Sequence, residues 1–152
     1  MPNARTHAVI GTGSGGLVAF LRSDDLPSEA RIAMTLGGAV GGYAGGRLPD
    51  ILEPAIHAWH RSFFHSAAAG AGVFQTAVVP INAWVAHLLA KAAGIRLLRL
   101  QLGPQHPDHA TLRTQECGLY FLSGFVIGLP VGYLSHLIAD AGTERGIPFI
   151  GR

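Results

Sequence analysis

Two long stretches of this 152-residue chain carry no charged side chain, and they limit its folding more than any other feature. No Asp, Glu, Lys or Arg occurs from Ser62 to Ala90, or from Cys117 to Ala139. Each stretch reaches the roughly 20 apolar residues that carry an α-helix across a bilayer. Charged residues make up 13% of the chain and hydrophobic residues 49%. The shorter gaps Thr6–Leu21 and Ile32–Gly46 are near the length at which a buried soluble helix or a re-entrant segment competes with a span. Read as spans, all four give an all-α, polytopic membrane protein of about four transmembrane helices in a single domain. The apolar segments lie at about 7–21, 32–46, 63–90 and 117–139, with a polar connection at 91–116.

Composition excludes several classes. The chain is too apolar to stay disordered. A net charge of +2 with no dense basic stripe does not make a nucleic-acid module. Cys117, the single cysteine, supports neither a disulfide scaffold nor a Cys-rich zinc site. Gly11-Thr12-Gly13-Ser14-Gly15-Gly16 interrupts the first apolar stretch, so it reads as a retained helix rather than a signal peptide. The same residues match the Gly-x-Gly-x-x-Gly dinucleotide pattern, but no strand–turn–helix context or doubly wound sheet surrounds them.

The second gap has its own period. Gly37, Gly38, Gly41, Gly42, Gly45 and Gly46 recur in pairs every four residues. On a helix this makes a stripe without side chains, the small-xxx-small pattern of helices that approach closely in lipid. Pro80 either kinks the third segment or divides it, and Pro130 lies inside the fourth. Ile95, Leu97, Leu98, Leu100 and Leu102 beside Arg96 and Arg99 predict a short interfacial element before the turn Gly103–Asp108.

Polar residues concentrate in two places. The first holds Asp50, Glu53, His57, His60, Arg61 and His65; the second holds His136 and Asp140. Carboxylate and neutral imidazole are ligands for zinc, iron or manganese, although an interhelical loop is equally free to be polar. His136 and Asp140 are four residues apart and share a helix face. An ionisable pair at the end of an apolar span is costly unless paired or coordinated. If each gap crosses once, His7, the Asp50–His65 cluster and His136/Asp140 emerge on one membrane side. His87, His106 and His109 fall toward the other and are set aside. The basic residues divide too evenly between the two sides to orient the chain.

Leu48-Pro49-Asp50, His60-Arg61-x-x-x-His65-Ser66, Gly132-Tyr133-Leu134-Ser135-His136-x-x-x-Asp140 and Arg145-Gly146-Ile147-Pro148 together resemble the YdjM-like family. Arg5-Thr6-His7 is similar to that family's start. These are small bacterial inner-membrane proteins described as metal-dependent hydrolases, some of them LexA-regulated. The resemblance implies an inner-membrane location and a polar site of His7, Asp50, His60, His65, His136 and Asp140. Family members often carry a second Asp two residues after the first, where this chain has Leu52 followed by Glu53. Phe64 stands where Thr is common before the second His.

The resulting expectation is a membrane-embedded hydrolase with a divalent metal, zinc first. Asp50, His65, His136 and Asp140 lead the expected ligands, with His7 beside them. His60 or Glu53 is the expected general base, and Arg61 the cation for a developing anion. A site at the membrane surface points to a lipid or another amphipathic ester or phosphoester. Membrane lipids and other helices are the expected partners, in a homo-oligomer or larger complex, with no nucleic acid. The alternative is a non-enzymatic helical subunit or scaffold of a larger bacterial or phage-encoded assembly, with the His/Asp residues as a polar network.

Overall fold

A computed structural model describes residues 4–53 and 63–142, apart from the side chains of 77–79. The described residues form α1 (Ala4–Leu21), α2 (Ser28–Leu52), α3 (Ala67–Leu102) and α4 (His109–Ala141), and no strand. Ser66 caps α3, its hydroxyl accepting the Ala69 N–H at 3.1 Å. Gly103, at φ 79°, ends it and donates its N–H to the Arg99 carbonyl. The chain bends by 43° between Ala67–Thr76 and Pro80–Leu102, so α3 consists of two straight pieces and the fold of five. Pro130 leaves α4 continuous.

Helix α2 is central and packs against both α1 and α4; among the described helices α3 packs only on α4. Glycine makes this possible. A Cβ on Gly42 would strike the Gly11 carbonyl of α1, and one on Gly38 would strike Ala19 and Gly15. Their neighbours Gly37, Gly41 and Gly45 lie against the carbonyls of Phe121, Phe125 and Leu129 on α4. The paired glycines thus form two faces, one for each neighbour. Helix α4 answers with Gly124, Gly128 and Gly132, set against the carbonyls of Met34, Gly38 and Gly42. That second period of four is also present in the sequence and forms part of the same contact. Glycine within a helix costs about 1 kcal/mol relative to alanine, and close backbone packing offsets it. The Gly-x-Gly-x-x-Gly segment lies wholly inside α1, where Gly11 and Gly15 serve this packing.

The expected interfacial element is corrected. Residues Lys91–Leu102 continue α3 without interruption, and Arg99 reaches across to Glu116 of α4 at 2.8 Å. A partly buried ion pair anchors these helical turns, leaving only residues 103–108 as connection. On length and composition α4 can cross a membrane, and bent α3 makes a second candidate. The expectation of four spans is met by these two at most. The glycines that pack α1 and α2 also lower their apolar content. Large apolar side chains still point outward on every helix, among them Leu17, Ile32, Leu36, Trp84, Leu97 and Ile138.

Candidate metal centre

The helix ends bring the polar residues together. His7 lies in the first turns of α1, Asp50 in the last turn of α2, and His136 and Asp140 in the last two turns of α4. His65 immediately precedes the Ser66 cap of α3, and the Tyr133 hydroxyl donates to the Phe64 carbonyl at 2.6 Å, tying this segment to α4. His7, His65, His136 and Asp140 are all buried, while Asp50 is about a third exposed.

Two of the imidazoles are oriented alike. His136 Nδ1 lies 2.8 Å from the Gly46 carbonyl oxygen. A carbonyl only accepts, so Nδ1 carries a proton and the ring turns Nε2 toward the carboxylates. That buried nitrogen has no hydrogen-bond partner among the described residues. It lies 3.4 Å from Asp140 Oδ2 and 3.7 Å from Asp50 Oδ1. His65 Nδ1 donates to Glu53 Oε2 at 3.1 Å, turning its Nε2 toward Asp50 Oδ1 at 3.4 Å and Asp140 Oδ2 at 4.0 Å. Tetrahedral ligands about 2.0–2.1 Å from zinc are about 3.3–3.4 Å apart. Two of the four measured edges match that separation, and the other two, at 3.7 and 4.0 Å, exceed it.

His7 completes the cluster. Its ring stacks on His136 with centroids 3.7 Å apart, and its Nε2 is 3.4 Å from Asp140 Oδ1. Two triads, His7/His136/Asp140 and Asp50/His65/His136, each bring their ligand atoms within 4.8 Å of one another. These groups can hold a metal ion. Three carboxylates in a mostly buried space call for positive charge, which a divalent cation or protonated imidazoles supply. An N–H of the ligand imidazole given to a backbone carbonyl or a carboxylate is the usual support for a metal-bound histidine.

The electrostatics of Asp50, in the last turn of α2, and of His65, before the start of α3, follow from their mutual contact. The hydrogen bond from His65 holds the Asp50 carboxyl below its ordinary value, against the opposing effect of burial. Burial pushes His65 toward its neutral form, but the Asp50 and Glu53 carboxylates outweigh it and raise its pKa.

The expected ligands His7, Asp50, His65, His136 and Asp140 therefore meet in one cluster. Glu53, expected as a general base, accepts from His65 Nδ1 and from the Phe63 N–H at 2.8 Å, contacts that also suit it to positioning His65. His57, His60, Arg61 and the Arg145-Gly146-Ile147-Pro148 motif lie outside the described residues. His106 and His109 flank the start of α4, about 40 Å along that helix from His136 at 1.5 Å per residue.

Sequence reasoning missed the Gly46 carbonyl, because a backbone acceptor leaves no residue-type signal. It also missed Arg47, which lines a cavity of about 560 Å³ with Arg5 and Tyr43. Arg47 Nη1 lies 3.2 Å from the Tyr43 hydroxyl, and its place three residues before Asp50 was the available signal.

Comparison with family models, curated proteins and solved structures finds no match to this chain.

Proposed function

We propose that this chain is a membrane-embedded, zinc-dependent hydrolase of the YdjM-like kind, with all four helices in a bacterial inner membrane. The observation that carries the metal reading is the buried His136 Nε2, turned toward Asp50 and Asp140 by the Nδ1 hydrogen bond to Gly46. Two carboxylates facing one imidazole nitrogen favour positive charge among them, which a metal ion supplies, as a proton on Nε2 also would. Outward apolar side chains and glycine-lined helix contacts support the membrane reading.

Asp50, His65, His136 and Asp140 would hold the ion, with His7 against Asp140. When bound, it supplies Lewis acidity toward a carbonyl or phosphoryl oxygen and lowers the pKa of a water toward ~7. Glu53 and the Gly46 carbonyl orient the two imidazoles. Asp50 is the most exposed of the ligand groups and opens the cluster to water and substrate. His60 remains the proposed base and Arg61 the proposed anion-stabilising cation, on their sequence positions.

Two measurements on purified full-length protein test this reading. Metal analysis should find about one zinc per chain, and chelation should abolish ester or phosphoester hydrolysis. A stable protein that takes up no divalent metal overturns the proposal. Separately, the chain should stay in the membrane fraction through an alkaline carbonate wash. Release into the supernatant overturns the four-span topology.

A further inference from the structure

Beside the cluster lies a cavity of about 450 Å³, within the range of small-molecule sites. It exists because α3 packs on α4 without approaching α2, leaving a gap flanked by Leu48, Leu52, Phe63, Phe64, Val73 and Tyr133. Among its described lining residues only Thr76 and Tyr133 have polar side chains. Both hydroxyls donate to backbone carbonyls, Thr76 to Gly72 and Tyr133 to Phe64, each at 2.6 Å. The wall is therefore suited to hydrocarbon.

Its position links it to the chemistry. Leu48 and Leu52 flank Asp50, Phe63 and Phe64 immediately precede His65, and Tyr133 lies one turn before His136. Three of the segments that supply ligand groups also wall the cavity. A chain lying there brings whatever is attached to its end toward the cluster.

We infer that this cavity holds the hydrocarbon tail of the substrate, an acyl-chain ester or phosphoester whose polar head lies at the His/Asp cluster. The identity of the head rests on the hydrolase reading; the tail site rests on the cavity alone. A linear chain suits the site because no described lining side chain offers it an unspent hydrogen-bonding group.

Gly72 provides the test. A Cβ there meets nothing within 4 Å, so Gly72→Leu extends a side chain from the cavity wall with no clash at its Cβ, and leucine is the better helix former. Gly94→Leu is the control: it is on the same helix and equally open, but outside the cavity. The probe is 11-(dansylamino)undecanoic acid, followed by fluorescence on the full chain in detergent. Saturable binding is expected for the parent, for Gly94→Leu and for chelator-treated protein, with affinity lower by about tenfold or more in Gly72→Leu. Equal binding by Gly72→Leu, or no saturable binding by the parent, overturns the tail site. Hydrolysis gives a second reading. With p-nitrophenyl esters, kcat/KM should rise from acetate to dodecanoate in the parent, and Gly72→Leu should flatten that rise. A flat chain-length profile in an active parent also overturns it. Absence of zinc would sink the hydrolase reading, while the probe result still decides the tail site.

Discussion

The Gly46 carbonyl oxygen lies 2.8 Å from His136 Nδ1, so a residue of the helix-packing stripe also orients an imidazole of the candidate metal centre. Gly46 sits where a Cβ would press on the backbone of His7 and Gly11. The close approach of α1 to α2 and the direction of the His136 ring are therefore parts of one arrangement. Backbone packing places the ligand groups, and the buried ligand groups make that packing specific.

His136→Ala should lower zinc content to about a tenth of the parent value or less, because the removed nitrogen belongs to both triads and loss of mere supporting partners already costs 10–100-fold. Metal analysis after purification checks this, with far-ultraviolet circular dichroism to show that helix content persists. Parent-like zinc in the variant would remove His136 from the ligand set.

Gly42→Leu should destabilise the bundle by roughly 3 kcal/mol or more, at the upper end of overpacking costs. A side chain there drives into the Gly11 carbonyl and the Gly15 backbone. Gly13→Leu, where a Cβ meets nothing within 4 Å, should melt close to the parent. Thermal unfolding in detergent separates the two, and matching curves would contradict the packed stripe.

The metal-free protein should be most stable in mildly acidic solution. His65 has a raised pKa, so its contribution is complete below the ordinary value of 6.5 and is lost as pH rises through the folded value. Asp50 has a lowered pKa, so its contribution is present above 3.8 and is lost as pH falls through the folded value. Melting in a chelator should therefore fall as pH rises above about 6.5. Added zinc should restore stability there, because rising pH frees the ligands of protons. A chelated protein whose melting is flat across neutrality would exclude this coupling.

Glu116→Ala should cost about 3–5 kcal/mol, since it takes the carboxylate from the largely buried Arg99 guanidinium, which keeps a 3.4 Å contact to His109 Nε2. Glu29→Ala should cost at most about 1 kcal/mol, because its partner Arg113 is more than half exposed. Denaturant melts of the two variants give the comparison. Equal losses would mean that the Arg99–Glu116 pair does not anchor the α3–α4 hairpin.

Part of this molecule was legible before any coordinates. The charge-free gaps marked the helical segments, since a long apolar run has few ways to satisfy its backbone except as helix. The period of four in the α2 glycines marked a smooth face, and i, i+4 spacing placed His136 beside Asp140. These are local regularities, carried by neighbours along one helix.

What spans two helices was decided by the tertiary structure. Which glycine faced α1 and which faced α4 depended on the rotation of α2 between its neighbours. Glu53 became a partner of His65 because the turn before α3 folded back onto the end of α2. The leucines after Lys91 read as an interfacial piece until Arg99 found Glu116 across the hairpin. The Gly46 carbonyl and the cavity between α2 and α3 left no residue-type mark, because each arises from how closely two backbones approach. Sequence determined the helices and the ligand chemistry; helix-to-helix distance decided which groups meet.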